Sequence, residues 1–214
     1  MRDSKAKTFI PAKAEGCSRK MMKSSHGKKA SRRELHQTST QERKRSQHPS
    51  ERKSVNEGSA LLHIYTSSVL TRELPVFYNP AMRLNRDLSV LLLAAWPFKN
   101  NNFTFCDPLA GSGVRGIRIA QEVPTISKNN PQTIILGDSS SRAVATIKKN
   151  LSTNNLSFSS FKKAQAHNKT NNQKKKKSIL VARDDANTLI MECGGVRVID
   201  LDPFGSPNPF LDTA

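Results

Sequence analysis

Apolar positions are almost absent from the first 55 residues and become periodic only afterwards. Residues 1–55 carry 16 Lys or Arg against five Asp or Glu, with many Ser and Gln. Such a segment cannot bury enough apolar surface to offset chain entropy, and it reads as a disordered basic tail. From about Glu57 the pattern changes, and 56–214 reads as a partial α/β domain. Ala60-Leu-Leu-His-Ile-Tyr65 has the composition of a strand, and Val76-Phe-Tyr-Asn-Pro80 that of an extended piece closed by an Asn-Pro turn. Leu84, Leu88, Leu91, Leu92 and Ala95 then recur at helical spacing before Pro97, with Asn85 and Asp87 as candidate caps. This stripe is expected to pack in the core. Phe103-Thr-Phe-Cys-Asp107 reads as a strand, Val114 to Glu122 as a helix, Thr133 to Asp138 as a second strand, and Arg142 to Leu151 as a helix capped by Ser140. Ser178 to Ala182 and Val196 to Leu201 supply two more strands, separated by a short helix over Asn187 to Cys193.

Strands alternating with helices in this way predict a doubly wound, mainly parallel, Rossmann-like sheet, with its ligand site beyond the carboxyl ends of the strands. Asp107, Asp138, Asp185 and Asp202 each close one of the predicted strands, which a chance scatter of acids would seldom do. Ala214 follows the fourth strand closely, so the sheet is expected to be incomplete, with an unpaired apolar edge and the poor solubility that such an edge brings.

Charge lies mostly outside the periodic segments. Of the net +18, the tail contributes +11 and the stretch 152–177 contributes +7, leaving the remaining residues balanced. That stretch has seven Lys and no acid between Lys162 and Lys177 and reads as a polar, Lys-rich loop insertion. Attraction to polyanions would come from these two segments, through salt-sensitive contacts with phosphates. Cys17, Cys106 and Cys193 are far apart in sequence and show no paired metal-ligand spacing, so neither a metal site nor a disulfide framework is expected. No apolar run approaches the ~20 residues that a membrane span requires. The start Met1-Arg-Asp-Ser-Lys-Ala-Lys7 lacks the apolar core of a secretory signal. An intracellular protein is expected. The acid-poor, Arg- and Ser-rich tail suits a mitochondrial address, yet it has no amphipathic apolar face, and Glu42-Arg-Lys-Arg45 suits a nuclear one slightly better.

Two segments carry the chemistry. In Asp107-Pro-Leu-Ala-Gly-Ser-Gly-Val-Arg-Gly116, Gly111 and Gly113 let the backbone approach a ligand closely, and the following helix offers free N–H groups to a carboxylate. Gly116 also meets the spacing of a dinucleotide fingerprint, so that option stays open. Asp138 stands where a carboxylate can accept both hydroxyls of a ribose, or can cap a helix. Asp185-Ala-Asn187 can hold an adenine edge or, equally, cap a helix. Arg86 at a helix start is electrostatically awkward, which suits a bond to a ligand carboxylate or to Asp107, with a plain surface arginine as the alternative; Arg115 has the same two readings. Arg118, one turn later, reads as solvent-facing. The second segment, Asp200-Leu-Asp-Pro-Phe-Gly-Ser-Pro207, discriminates best. An exocyclic base nitrogen is a poor nucleophile because its lone pair is delocalised into the ring. It needs an acceptor for its amino group and an aromatic face for its base. Asp202 suits the acceptor role, Phe204 the stacking role, and Asp200 a supporting one.

The Val76–Pro80 run, Asn85-Arg-Asp-Leu-Ser89, Gly111-Ser-Gly-Val-Arg-Gly-Ile-Arg118, Asp185-Ala-Asn187 and Asp200–Pro207 together, in this order, resemble the tRNA (guanine(26)-N2)-dimethyltransferases from about Glu57 to Ala214. The resemblance implies a class I methyltransferase that uses S-adenosyl-L-methionine to place one or two methyl groups on the exocyclic N2 of guanine 26 in tRNA. It implies cofactor roles for Arg86, Arg115, Asp138, Asp185 and Ala186 beside the turn of Asp107, Gly111 and Gly113. It implies a catalytic role for Asp202, with Phe204 against the base. It also implies further sheet strands and a C-terminal tRNA-binding domain beyond Ala214, absent from this sequence. Two other readings remain: an amino-methyltransferase acting on adenine N6 or cytosine N4 of DNA or RNA, and a catalytically inactive basic RNA-binding fragment. A nicotinamide oxidoreductase is a more distant fourth.

Overall fold

The computed structural model describes residues 51–66, 74–168 and 177–214. The basic tail up to residue 50, including Glu42-Arg-Lys-Arg45, and the Lys-rich run over 169–176 lie outside the described residues. In chain order the elements are β1 (Glu51–Glu57), β2 (Ala60–Thr66), α1 (Arg83–Ala95), β3 (Asn102–Asp107), α2 (Val114–Ile126), β4 (Asn130–Asp138), α3 (Ser141–Thr153), β5 (Ser159–Ser160), α4 (Phe161–Asn168), β6 (Ser178–Arg183), α5 (Ala186–Cys193), β7 (Val198–Ile199) and α6 (Asn208–Leu211).

Among the described residues the central sheet has the order β5-β6-β4-β3-β7, and each of its pairs is parallel. The chain walks outward from β3 through β4 to β6, then returns to the other side of β3 for β7. That reversal between β3 and β7 is the switch point at which doubly wound sheets open a ligand crevice. Phe103 and Phe105 of β3, Ile134 and Leu136 of β4, Ile117 of α2, and Ile147 and Leu151 of α3 form the centre of the core, all with at most 2% of their surface exposed. β7 is shorter than the fourth strand expected from sequence: it meets β3 only at Phe105 and Cys106, and Asp200 N then donates to Cys106 O at 2.8 Å before the chain turns into the site.

Three expectations differ from the structure. β1 takes in Glu51 to Val55, which the sequence reading gave to the tail. Strand pairing needs only backbone groups, so β1 can pair with all of β2 while its first four side chains stay exposed. The stretch read as a polar loop insertion carries β5 and α4 among its described residues, where Leu156 and Phe158 pack against the main core and Phe161 is buried with Leu180 and Leu189. The largest difference concerns α1. Leu84, Leu88, Leu91 and Leu92 are 67%, 57%, 54% and 57% exposed, and the buried face is Arg86, Val90, Leu93 and Ala94. Asn129 fixes that rotation from below by donating Nδ2 to the carbonyls of Leu93, Ala94 and Trp96. Asn85 and Asp87 do not cap α1 and instead serve the ion network described below. No described helix is long and apolar enough to cross a membrane. Cys106 and Cys193, distant in sequence, are free thiols with their Sγ atoms 3.6 Å apart, and the Cys193 contact together with burial pushes the Cys106 thiol up.

Candidate active site

A cavity of about 670 Å³ opens at the carboxyl ends of β3 and β4, a volume in the usual range for a small-ligand site. The glycine turn forms its floor. Gly111 has φ +51, and a Cβ there would lie 3.1 Å from Phe77 O, so the turn accepts no side chain without strain. Gly113, at φ +78 before α2, faces Ile147 rather than the cavity; its need is for packing against α3. Asn150, fully buried on α3, ties this turn to the hairpin: Oδ1 accepts from His63 N at 2.8 Å and Nδ2 donates to Ser112 O at 2.9 Å.

Asp138 sits at the end of β4 with one backbone bond on each oxygen, Oδ2 accepting from Gly111 N at 3.1 Å and Oδ1 from Ser140 N at 2.8 Å. Each oxygen retains a further lone pair. Burial raises the carboxyl above its ordinary value, and the two N–H bonds oppose that rise.

Arg115, on the first turn of α2, organises the other wall. Its Nε meets Asp200 Oδ2 at 2.5 Å and its Nη2 meets Asp202 Oδ2 at 2.8 Å, while Nη1 donates to Asn85 Oδ1 and Ser89 Oγ at 2.8 and 2.7 Å. One buried guanidinium thus spans both aspartates of the Asp-Leu-Asp sequence. Asp107, at the end of β3, joins them as a third carboxylate. Burial and the neighbouring Asp200 push Asp107 well up despite the opposing Arg115, and burial likewise raises Asp200, with Asp202 adding to the rise. Asp107 and Asp200, buried beside one cation, therefore resist ionising together. Asp202 remains the most open of them, and the exposed Phe204 lies beside it with its ring 4.0 Å from that of Phe77, edge-on. Phe77 was not singled out in the sequence as a side chain; the signal available was its place in the Val76–Pro80 run.

Other predicted site residues lie differently. Arg86 lines the cavity, but its guanidinium pairs with neither Asp107 nor open solvent. It donates to both oxygens of Glu57 at 2.7 and 2.5 Å and to Asn79 O at 3.1 Å, over the ring of Tyr78. Arg118 is buried rather than solvent-facing and joins Glu57, Asp87 and Glu122. Glu57, 1% exposed and bonded also to Tyr78 Oη, is the hub that sequence reasoning missed, since nothing about a lone acid near a hairpin turn announces burial. Asp185 accepts from the backbones of Asn187 and Thr188 and so caps α5, Ala186 is buried, and neither belongs to the cavity lining.

The sequence profile described as N2,N2-dimethylguanosine tRNA methyltransferase matches residues 53–214. A tRNA (guanine(26)-N(2))-dimethyltransferase of Methanococcus maripaludis is 38% identical over 164 residues, covering 75% of this chain and 38% of the relative. Another protein of that description, from Pyrobaculum calidifontis, is 42% identical over 142 residues, covering 65% of this chain and 32% of its own length. Among solved structures, Trm1 from Pyrococcus horikoshii in complex with S-adenosyl-L-methionine is similar with a TM-score of 0.57 and 36% identity, covering 75% of this chain and 38% of that one. The chain therefore spans well under half the length of these relatives.

Proposed function

The chain belongs to the N2,N2-dimethylguanosine tRNA methyltransferase family, and from that premise we propose that it binds S-adenosyl-L-methionine in the β3–β4 cavity and methylates the exocyclic N2 of guanine 26 in tRNA, once or twice. The observation that carries this reading is the Arg115 guanidinium spanning Asp200 and Asp202 at the switch point, beside Phe204.

The residues fit the cofactor. A cavity of about 670 Å³ has room for it, Gly111 leaves the backbone uncovered, and Asp138 keeps one lone pair on each oxygen for the two ribose hydroxyls. Asp107, Gly111, Arg86 and Arg115 of the lining are the remaining proposed cofactor residues, with Gly113 shaping the turn and Asp185 and Ala186 proposed to meet an adenine edge at the start of α5. When bound, S-adenosyl-L-methionine supplies an electrophilic methyl group. The chain's own contribution is to orient the guanine. Asp202 accepts a hydrogen bond from the amino group and takes up the proton it releases, while Arg115 grips Asp202 Oδ2 and so fixes the direction of the carboxylate. Phe204, with Phe77 edge-on to it, offers the base an aromatic surface. Asp200 keeps Arg115 in register.

The basic residues of the tail and of 162–177 are proposed to meet tRNA phosphates. Glu42-Arg-Lys-Arg45 is proposed as a nuclear address, tested by comparing the distribution of a fluorescent fusion with and without residues 1–50. The functional reading is tested by calorimetric titration with S-adenosyl-L-methionine, wild type against Asp138→Ala, followed by methyl transfer to an unmodified tRNA transcript and to a second transcript carrying adenine in place of guanine 26. Micromolar binding lost in Asp138→Ala, with transfer confined to the transcript that keeps the guanine, supports it. No binding by a folded sample overturns it.

A further inference from the structure

Asn187 makes two side-chain bonds for which the reaction as described has no use. Its Nδ2 donates to Pro209 O at 3.2 Å and its Oδ1 accepts from Thr213 Oγ1 at 2.7 Å. Both partners belong to the segment that follows the Asp202–Pro207 turn. That segment has little other anchorage in the core, since α6 buries none of its four residues. Yet Pro209 and Phe210 line the cavity together with Phe204 and Ser206. Asn187 itself stands on α5, two residues beyond Asp185, on the framework of the sheet. One amide therefore joins α5, next to Asp185 and Ala186 proposed for the cofactor, to the cavity wall proposed for the base.

We propose that Asn187 is a positioning residue, a clamp that holds α6 against α5 and so sets the place of Phe210 and of the Asp202–Pro207 turn relative to the methyl donor. The inference rests on the reading given under Proposed function. An amide suits the task because it donates and accepts at once, and the two bonds it makes here run to different residues of α6 and its flank. A carboxylate at this position would lose the bond to Pro209 O. Thr213 shares the clamp, its hydroxyl also meeting Phe210 O at 3.0 Å.

The test compares the full chain with Asn187→Ala, Thr213→Val, Thr213→Ser and the Asn187→Ala/Thr213→Val pair. Amide hydrogen exchange over 203–214, affinity for S-adenosyl-L-methionine, and kcat and KM of methyl transfer to tRNA are measured for each. The clamp requires faster exchange in Asn187→Ala and in Thr213→Val, with an effect in the double variant smaller than the sum of the two, because both single variants remove the shared Asn187–Thr213 bond. Thr213→Ser, which keeps the hydroxyl, should match the wild type. kcat should fall by about tenfold or more in the two disrupting variants while cofactor affinity stays within about twofold, the signature of misplaced rather than missing groups. Unchanged exchange in both variants overturns the proposal, and so does a loss of cofactor affinity confined to Asn187→Ala, which would make Asn187 a cofactor ligand. If the wild type transfers no methyl group, the proposed function fails on its own account, and the exchange data alone then decide the clamp.

Discussion

Arg115 Nη2 donates to Asp202 Oδ2 at 2.8 Å from a guanidinium that is almost wholly buried, while the Asp202 side chain is still 48% exposed. The acceptor proposed for the base is thus held from the protein side and open on the other. Lysine at position 115 would keep the charge but lose the fork that reaches Asp200, Asp202, Asn85 and Ser89 together. Arg115→Lys is expected to lower kcat of methyl transfer on the order of 10²-fold. Steady-state kinetics on unmodified tRNA checks this, and a near-normal rate would show that the fork is dispensable.

Asp200 and Asp202 differ in burial and so should differ in consequence. Asp202→Asn removes the proposed proton acceptor but keeps the shape, and a loss of 10²- to 10⁴-fold in rate, roughly the worth of a general base, is expected with cofactor affinity unchanged. Asp200→Asn removes one of the two groups that raise its neighbour Asp107, so Asp107 should ionise at lower pH. Its rate loss should be smaller than that of Asp202→Asn, because Asp202 keeps its bond to Arg115. Reversal of that order would exchange the two roles.

Cofactor binding should depend on pH through Asp138. Burial raises this carboxyl above its ordinary value of 3.8, partly opposed by the N–H groups of Ser140 and Gly111. Ribose hydroxyls donate to the ionised form, so affinity should be full above the raised value and fall as the pH drops through it. The loss therefore sets in above the range of an exposed aspartate. Titrations at stepped pH on wild type and Asp138→Asn check the sign: the variant should bind weakly and without that dependence.

Much of this arrangement was legible in the sequence, for physical reasons that differ from element to element. β3, β4 and β6 are short apolar runs ending in acid or base, and Asp107, Asp138 and Asp202 all line the cavity. The Gly111 turn and the Asp202–Pro207 turn could be read because backbone conformation limits which residues serve there. What could not be read depended on which way a face turns. The leucines of α1 have faultless helical spacing, but spacing fixes only that they share a face, not that the face points inward. The deciding contacts, Arg86 with Glu57 and Asn129 with the carbonyls ending at Trp96, join residues 29 to 36 positions apart. β1 escaped notice for a related reason, since its exposed side chains look like those of the tail before it.

The rotation of α1 gives its own expectation. Leu88→Ser on the exposed side should alter stability by within about 0.5 kcal/mol, as surface changes do. Leu93→Ala on the buried side should cost roughly 2–5 kcal/mol. Urea denaturation of both variants distinguishes the two faces, and equal costs would mean that the leucine stripe is covered.

Glu57 should be the most costly single acid to replace. Arg86 and Arg118 both pair with it and Tyr78 donates to it, in a setting where all four side chains are buried. Burial alone would raise its pKa, but the bonds from Arg86, Tyr78 and Arg118 outweigh burial and bring it below the ordinary 4.5. A depressed folded-state value means stability that is full above the unfolded value and lost as pH falls through the folded one. Glu57→Gln leaves two guanidiniums without their shared counter-charge, at a cost of about 3–5 kcal/mol near neutral pH. The difference in stability between wild type and variant should then shrink below about pH 4.5, because acid removes from the wild type what the substitution has already removed. Asp107, Asp138 and Asp200 act with the opposite sign: their raised folded-state values give a contribution that is full at low pH and lost as the pH rises through them. The measurement must therefore be that difference, taken from urea curves at several pH values, and not the pH profile of the wild type alone. A difference that stays constant down to pH 3 would show that the folded chain does not lower the Glu57 pKa, and that the two arginines are held by Asp87, Glu122 and the Asn79 carbonyl instead.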